Sequence, residues 1–170
     1  MAVKTATIKK RITTALLLGS FFSTPVLGNV HVQIPLYEKG SDVFYLQGTL
    51  DGYGETEFML DTGSGPMALS SDILDTLRKQ GKASPSGQGM AMLANGQQKL
   101  FSLYKISALQ LGAECELKDI EAAELPAGTR NIIGINALKK TAPFSIHTSP
   151  AKLSLGGCTL ADAASSAARL

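Results

Sequence analysis

Residues 58–65, Phe58-Met59-Leu60-Asp61-Thr62-Gly63-Ser64-Gly65, constrain this chain more than any other stretch. Three consecutive apolar residues, then a carboxylate, then small residues describe a strand covered on both faces that ends in a tight turn. Asp61, at the tip of such a strand, is expected to leave bulk water. Desolvation disfavours the charged form, so a carboxylate there is held by hydrogen bonds or shares a proton with a partner. Thr62 and Ser64 supply hydroxyls, the second expected within reach of a carboxylate oxygen, and Gly63 allows close backbone approach. These are the parts from which a carboxylate dyad is built. An Asp-Thr-Gly turn that merely closes an ordinary strand has the same composition and needs no chemistry.

A chain of 170 residues has room for one domain with a sizeable core, not two. Gly is plentiful at 17 and aromatics are few, which favours a turn-rich β domain over a helical bundle. The formal net charge of +2 is carried partly by Lys4, Lys9, Lys10 and Arg11. With no basic stripe interleaved with aromatics, nucleic acid is not expected as a partner. That basic cluster opens what reads as a signal peptide over residues 1–28. The apolar run Ile12 to Phe22 follows it, and Val26 and Gly28 then fit the −3 and −1 positions of a cleavage site. Ser20, Ser23, Thr24 and Pro25 leave the run short for a stable membrane span, although an uncleaved anchor is the alternative.

The protein is therefore expected to be exported, periplasmic or secreted, with a folded domain over residues 29–157. Residues 158–170 form an Ala- and Ser-rich tail expected to be disordered. An oxidising compartment would let Cys115 and Cys158 pair, and two unpaired thiols remain the alternative. Neither cysteine has CxxC spacing, and His31 and His147 lack companion ligands, so no metal site and no cofactor are expected.

In chain order, Val32, Ile34 and Leu36 alternate with Gln33 and Pro35, a strand that Pro35 assigns to an edge. Strands are expected at 43–50 and 56–60, joined by the hairpin turn Asp51-Gly52-Tyr53-Gly54. Ser71 is expected to cap a helix over 72–80 that buries Ile73, Leu74 and Leu77 and stops at Gly81. Residues 82–87 read as a polar loop. Asn95-Gly96, between the extended arms Met90–Leu93 and Gln97–Leu100, signals a two-residue hairpin turn. Such a hairpin is either an ordinary surface feature or a flap over a groove. Strands at 103–111 and 115–120 follow. Asn131-Ile132-Ile133-Gly134 is a short apolar strand that runs into a brief helix, and strands at 144–147 and 152–155 complete the domain.

Taken in order, Met59-Leu60-Asp61-Thr62-Gly63-Ser64, Leu93-Ala94-Asn95-Gly96 and Ile132-Ile133-Gly134 resemble the retropepsin-like aspartic proteases, including bacterial exported members, over roughly residues 43–155. The resemblance implies a mainly β fold: a closed barrel-like lobe with one or two short helices, functional as a homodimer. It implies an aspartic endopeptidase acting on extended segments of exported or envelope proteins. Asp61 would be catalytic, Thr62, Gly63, Ser64, Ile132, Ile133 and Gly134 would support the site, and Leu93, Ala94, Asn95 and Gly96 would form the flap. Catalysis in this class uses one protonated and one ionised aspartate. With a single Asp-Thr-Gly in the chain, the second must be Asp61 of an identical subunit. Retroviral members pair an Arg after Ile-Ile-Gly with an acidic residue four positions after the catalytic Asp, where this chain has Ile135 and Gly65. A monomeric, non-catalytic peptide-binding module of the same fold is the alternative.

Overall fold

A computed structural model describes residues 31–40, 42–92 and 96–158. The expected signal peptide, the tail beyond Cys158 and the flap residues Leu93, Ala94 and Asn95 lie outside the described residues. The chain enters through β1 (Val32–Pro35) and β2 (Tyr37–Glu38). The hairpin β3 (Phe44–Leu50) and β4 (Gly54–Leu60) follows, then β5 (Met67–Ser70) and α1 (Ser71–Lys79). A long hairpin of β6 (Ala83–Met92) and β7 (Gln98–Leu111) leads to β8 (Cys115–Leu125) and β9 (Asn131–Ile133). The short helix α2 (Ile135–Lys140) precedes the closing hairpin β10 (Phe144–Thr148) and β11 (Ala151–Leu155).

The fold is mainly β and its main sheet closes on itself. Strands run in the order β3-β4-β9-β5-β8-β7, and β7 returns to β3 through Thr49 opposite Gln110 and Leu50 opposite Leu109. Closure removes the open edges of these six strands and leaves β2 and β6 flanking them. Leu46, Leu50, Phe58, Leu69, Ile106, Leu109, Ile120 and Ile133 fill the interior with at most 1% exposure each. Burial of side chains of this size stabilises by about 1.5–3 kcal/mol apiece, so the barrel supplies a rigid frame for whatever its strand ends carry. Two parallel pairings, β4 with β9 and β5 with β8, sit on either side of the antiparallel β5–β9 contact. This arrangement brings the end of β4 beside the end of β9.

A second sheet, ordered β1-β11-β10, packs Val32, Ile34, Leu153 and Leu155 into the same core. β1 is an edge strand there, as Pro35 requires. Cys115, fully buried at the start of β8, is disulfide-bonded to Cys158 with a Cα–Cα distance of 4.9 Å. The cysteine placed by sequence at the start of the tail is thus bonded into the domain.

Two local readings change. The expected loop at 82–87 is the first half of β6, an edge strand that pairs only with β7. A register shift between Pro85 and Gly87 accommodates the proline. Helix α1 begins at Ser71, and the extended Ser70 occupies the cap position without a side-chain cap hydrogen bond. Its first-turn acid, Asp72, instead accepts the Gly128 N–H at 3.2 Å and so holds the β8–β9 loop. The β6–β7 ladder is described as far as Met92 opposite Gln98, and the expected turn at Asn95-Gly96 falls partly outside the described residues.

Candidate active site

Asp61 is delivered by the β4–β9 pairing. Leu60 lies opposite Ile133, and the Asp61 N–H donates to the Ile133 carbonyl at 3.1 Å, extending the parallel ladder by one residue. The chain then turns, with Ser64 N–H donating to the Asp61 carbonyl at 3.2 Å and Gly63 N–H donating to Asp61 Oδ1 at 2.9 Å. Phe58 is fully buried while Met59 and Leu60 are half-buried, so within one chain the strand is covered on one face rather than two. Asp61 is accordingly half-buried, and Thr62 and Gly63 are exposed. The Ser64 hydroxyl donates to the Pro66 carbonyl at 2.8 Å rather than to the Asp61 carboxylate.

The loop after Asp61 is clamped by the start of α2. A helix begins with backbone N–H groups that have no partner inside it. Here Ile135 N–H donates to Ser64 O at 2.8 Å and Asn136 N–H to Gly65 O at 3.0 Å, both acceptors lying in the loop. Ala137 N–H donates to Asn136 Oδ1 at 2.7 Å. The approach is so close that a Cβ on Gly134 would lie 2.2 Å from Pro66 O and 2.9 Å from Ser64 O. Gly134 has φ −90° and ψ 176°, a conformation open to any residue, so the glycine is required by space and not by its backbone angles.

Asn136 was not singled out by sequence. Its Oδ1 accepts the Met67 N–H at 2.7 Å, just beyond the loop, and its Nδ2 donates to the Glu121 carbonyl at 2.7 Å. A single side chain therefore ties β5, α2 and β8 together behind Asp61. Asn131 has a similar role on the neighbouring strand β9, accepting Ser70 N–H at 3.1 Å and donating to Glu57 O at 3.4 Å. The partners of Asn136 lie 69 and 15 residues distant, and no local pattern marks such contacts.

On the hairpin, Met90, Met92 and Leu100 are exposed by 63%, 71% and 62%, an apolar surface with no cover in a single chain. Gly65 and Pro66 of the loop share a groove of about 290 Å³ with Met90, Phe101, Leu103 and Asn136, so the base of the hairpin borders the Asp61 loop. Gly96, the described member of the expected flap tip, has φ +80°.

On the outer face of β4, alternation places Glu55, Glu57 and Met59 in line with Asp61. Glu57 accepts the Tyr37 hydroxyl at 2.7 Å and the Lys39 ammonium at 2.6 Å, which hold its carboxyl below the usual range, the lysine contributing most. Among the described residues, no group of three or more His, Cys, Asp and Glu side chains is placed to hold a metal ion. No described helix is long and apolar enough to cross a membrane.

A sequence model of the family described as "gag-polyprotein putative aspartyl protease" matches residues 46–140, from β3 to the end of α2. The crystal structure of a retropepsin-like aspartic protease from Rickettsia conorii aligns with a TM-score of 0.52 at 21% sequence identity, covering 74% of this chain and 91% of that one. At this identity the likeness establishes the fold. No curated protein sequence matches the chain.

Proposed function

The chain belongs to the gag-polyprotein aspartyl protease family, and from that premise we propose that it is an exported, homodimeric aspartic endopeptidase using Asp61 of each of two subunits. The observation that carries this reading is the state of Asp61. Its loop is fixed from behind by α2, yet the carboxylate is half-exposed and its described hydrogen bond is a single backbone N–H on Oδ1. Such a carboxylate is held in position and remains open to a second one.

Asp61 alone among the aspartates stands in an Asp-Thr-Gly sequence, and three of the others have partners elsewhere. Asp51 pairs with Lys82, Asp72 with the Gly128 N–H and Asp75 with Arg78. The second carboxylate is therefore assigned to another copy. Two carboxyls at close range do not both ionise, so the pair holds one proton between them. The ionised Asp61 accepts a proton from the attacking water, and the protonated one donates to the scissile carbonyl. The substrate lies extended, with side chains alternating between the two sides of the cleft. The hairpin, with Leu93, Ala94, Asn95 and Gly96 at its tip, closes over it and excludes water.

The manner of dimerisation differs from the retroviral one in this reading. Gly65 and Ile135 replace the ion pair, and the terminal strands β1 and β11 already pair within the chain. Asp61→Asn keeps the side-chain size and removes the shared proton. Cleavage of a peptide library should fall by about 10²–10⁴-fold with the circular dichroism spectrum unchanged. Equal turnover by the two proteins would remove Asp61 from the mechanism.

A further inference from the structure

On the outer face of the β3–β4–β9 sheet lies a groove of about 360 Å³ whose walls include Tyr45, Tyr53, Glu55, Glu57, Met59 and Arg130. Met59 is two residues before Asp61, so this end of the groove begins roughly 7 Å of strand from the catalytic carboxylate. Ile132 lies opposite Met59 and Tyr45 lies opposite Met59 on the other side, and Arg130 shares the parity of Ile132. The Arg130 guanidinium crosses this face and donates to the Tyr45 hydroxyl at 3.2 Å, with Tyr45 supporting its cationic form. Its loop is pinned by the Gly128 N–H on Asp72 and by the Thr129 hydroxyl on Pro126 O at 2.7 Å.

We propose that Arg130 is a specificity-determining residue that selects substrates with an acidic side chain close to the scissile bond. The inference rests on the peptidase reading and adds the chemistry of one subsite. An extended substrate advances about 3.3 Å per residue and presents alternate side chains to the same side every ~7 Å. The side chain entering this groove is therefore the one flanking the scissile bond or the next on the same face. A guanidinium offers five N–H donors in a planar fork, and the hydrogen bond to Tyr45 leaves donors for a carboxylate.

The groove also holds two acids, and their placement decides the sign. Glu57 is already matched by Lys39 and Tyr37, and Lys39 also lies 5.5 Å from the centre of the Tyr45 ring. Glu55 stands two residues farther from Asp61, at the distal end. By the β4–β9 register Arg130 comes level with Glu57, and with Glu57 matched the charge that remains at that level is positive.

The test is a set of quenched fluorescent peptides carrying Glu, Gln or Lys in turn at each of three positions on both sides of the cleavage point. They are assayed with wild type, Arg130→Gln and Arg130→Glu. At one position wild type should prefer Glu over Gln by about tenfold in kcat/KM, the size of a charge-assisted contact at a partly solvated site. Arg130→Gln should erase that preference, so that the Glu and Gln peptides are cleaved alike, with a circular dichroism spectrum that matches wild type and reports an intact fold. Arg130→Glu should prefer Lys. A Glu preference that survives Arg130→Gln, or its absence at every position in wild type, would overturn the proposal.

If no peptide is cleaved, the peptidase reading fails separately. The same peptides read by fluorescence anisotropy then decide the role of Arg130. Tighter binding of the Glu peptide that is lost in Arg130→Gln supports it, and equal binding refutes it.

Discussion

Replacing Gly134 with alanine would put a methyl carbon 2.2 Å from Pro66 O, 2.6 Å from Pro66 C and 2.9 Å from Ser64 O. Real Cβ contacts are essentially never shorter than 3.0 Å, so the Pro66 carbonyl must retreat by at least about 0.8 Å. The atoms in the way are backbone and cannot rotate aside as a side chain would. The same segment accepts the hydrogen bonds from Ile135 and Asn136 at 2.8 and 3.0 Å, so the retreat strains the clamp that positions Asp61. A displacement near 1 Å at a catalytic group costs on the order of 10²-fold in rate, and overpacking costs about 1–3 kcal/mol of stability. Gly134→Ala should therefore unfold at lower urea concentration and, while still folded, lose roughly 10²-fold in kcat/KM. Wild-type kcat/KM in a variant shown to be folded would refute the claim that α2 holds the Asp61 loop. Because φ and ψ at Gly134 suit any residue, a loss could not be assigned to backbone strain.

Asn136→Leu strands the amide of buried Met67 and should cost about 1–3 kcal/mol in urea unfolding, with a larger relative loss of activity. Asn136→Asp keeps both acceptor contacts but sets a carboxylate oxygen against the Glu121 carbonyl, so its stability relative to wild type should improve as pH falls and the carboxyl becomes a donor. A constant difference across pH would count against that contact. Reducing the Cys115–Cys158 bond, which spans 43 residues, frees the unfolded chain by about 4 kcal/mol on the loop-entropy model. A Cys115→Ser/Cys158→Ser protein should melt well below wild type, and an unchanged midpoint would contradict a stabilising link.

Where sequence reading succeeded, the determinants were local. The apolar run before Asp61, the edge position of Pro35 and the glycine after Ile132-Ile133 each reflect a rule about a few neighbouring residues. The strand at 83–92 was missed over its first half because Pro85, Gly87 and two serines carry loop chemistry. It survives as an edge strand because only β7 needs its hydrogen bonds. The apolar run at 58–60 suggested two covered faces, whereas one chain covers one face and leaves Asp61 half-exposed. Asn136 was invisible for a different reason: its importance lies wholly in long-range contacts made after the barrel closes.

The central claim is that catalysis needs Asp61 from two chains. The most direct measurement is specific activity per chain against protein concentration, taken alongside sedimentation over the same range. The shared dyad predicts that activity rises as monomer converts to dimer, with the two curves superimposing as mass action requires. Activity strictly proportional to chain concentration while sedimentation reports only monomer would contradict it.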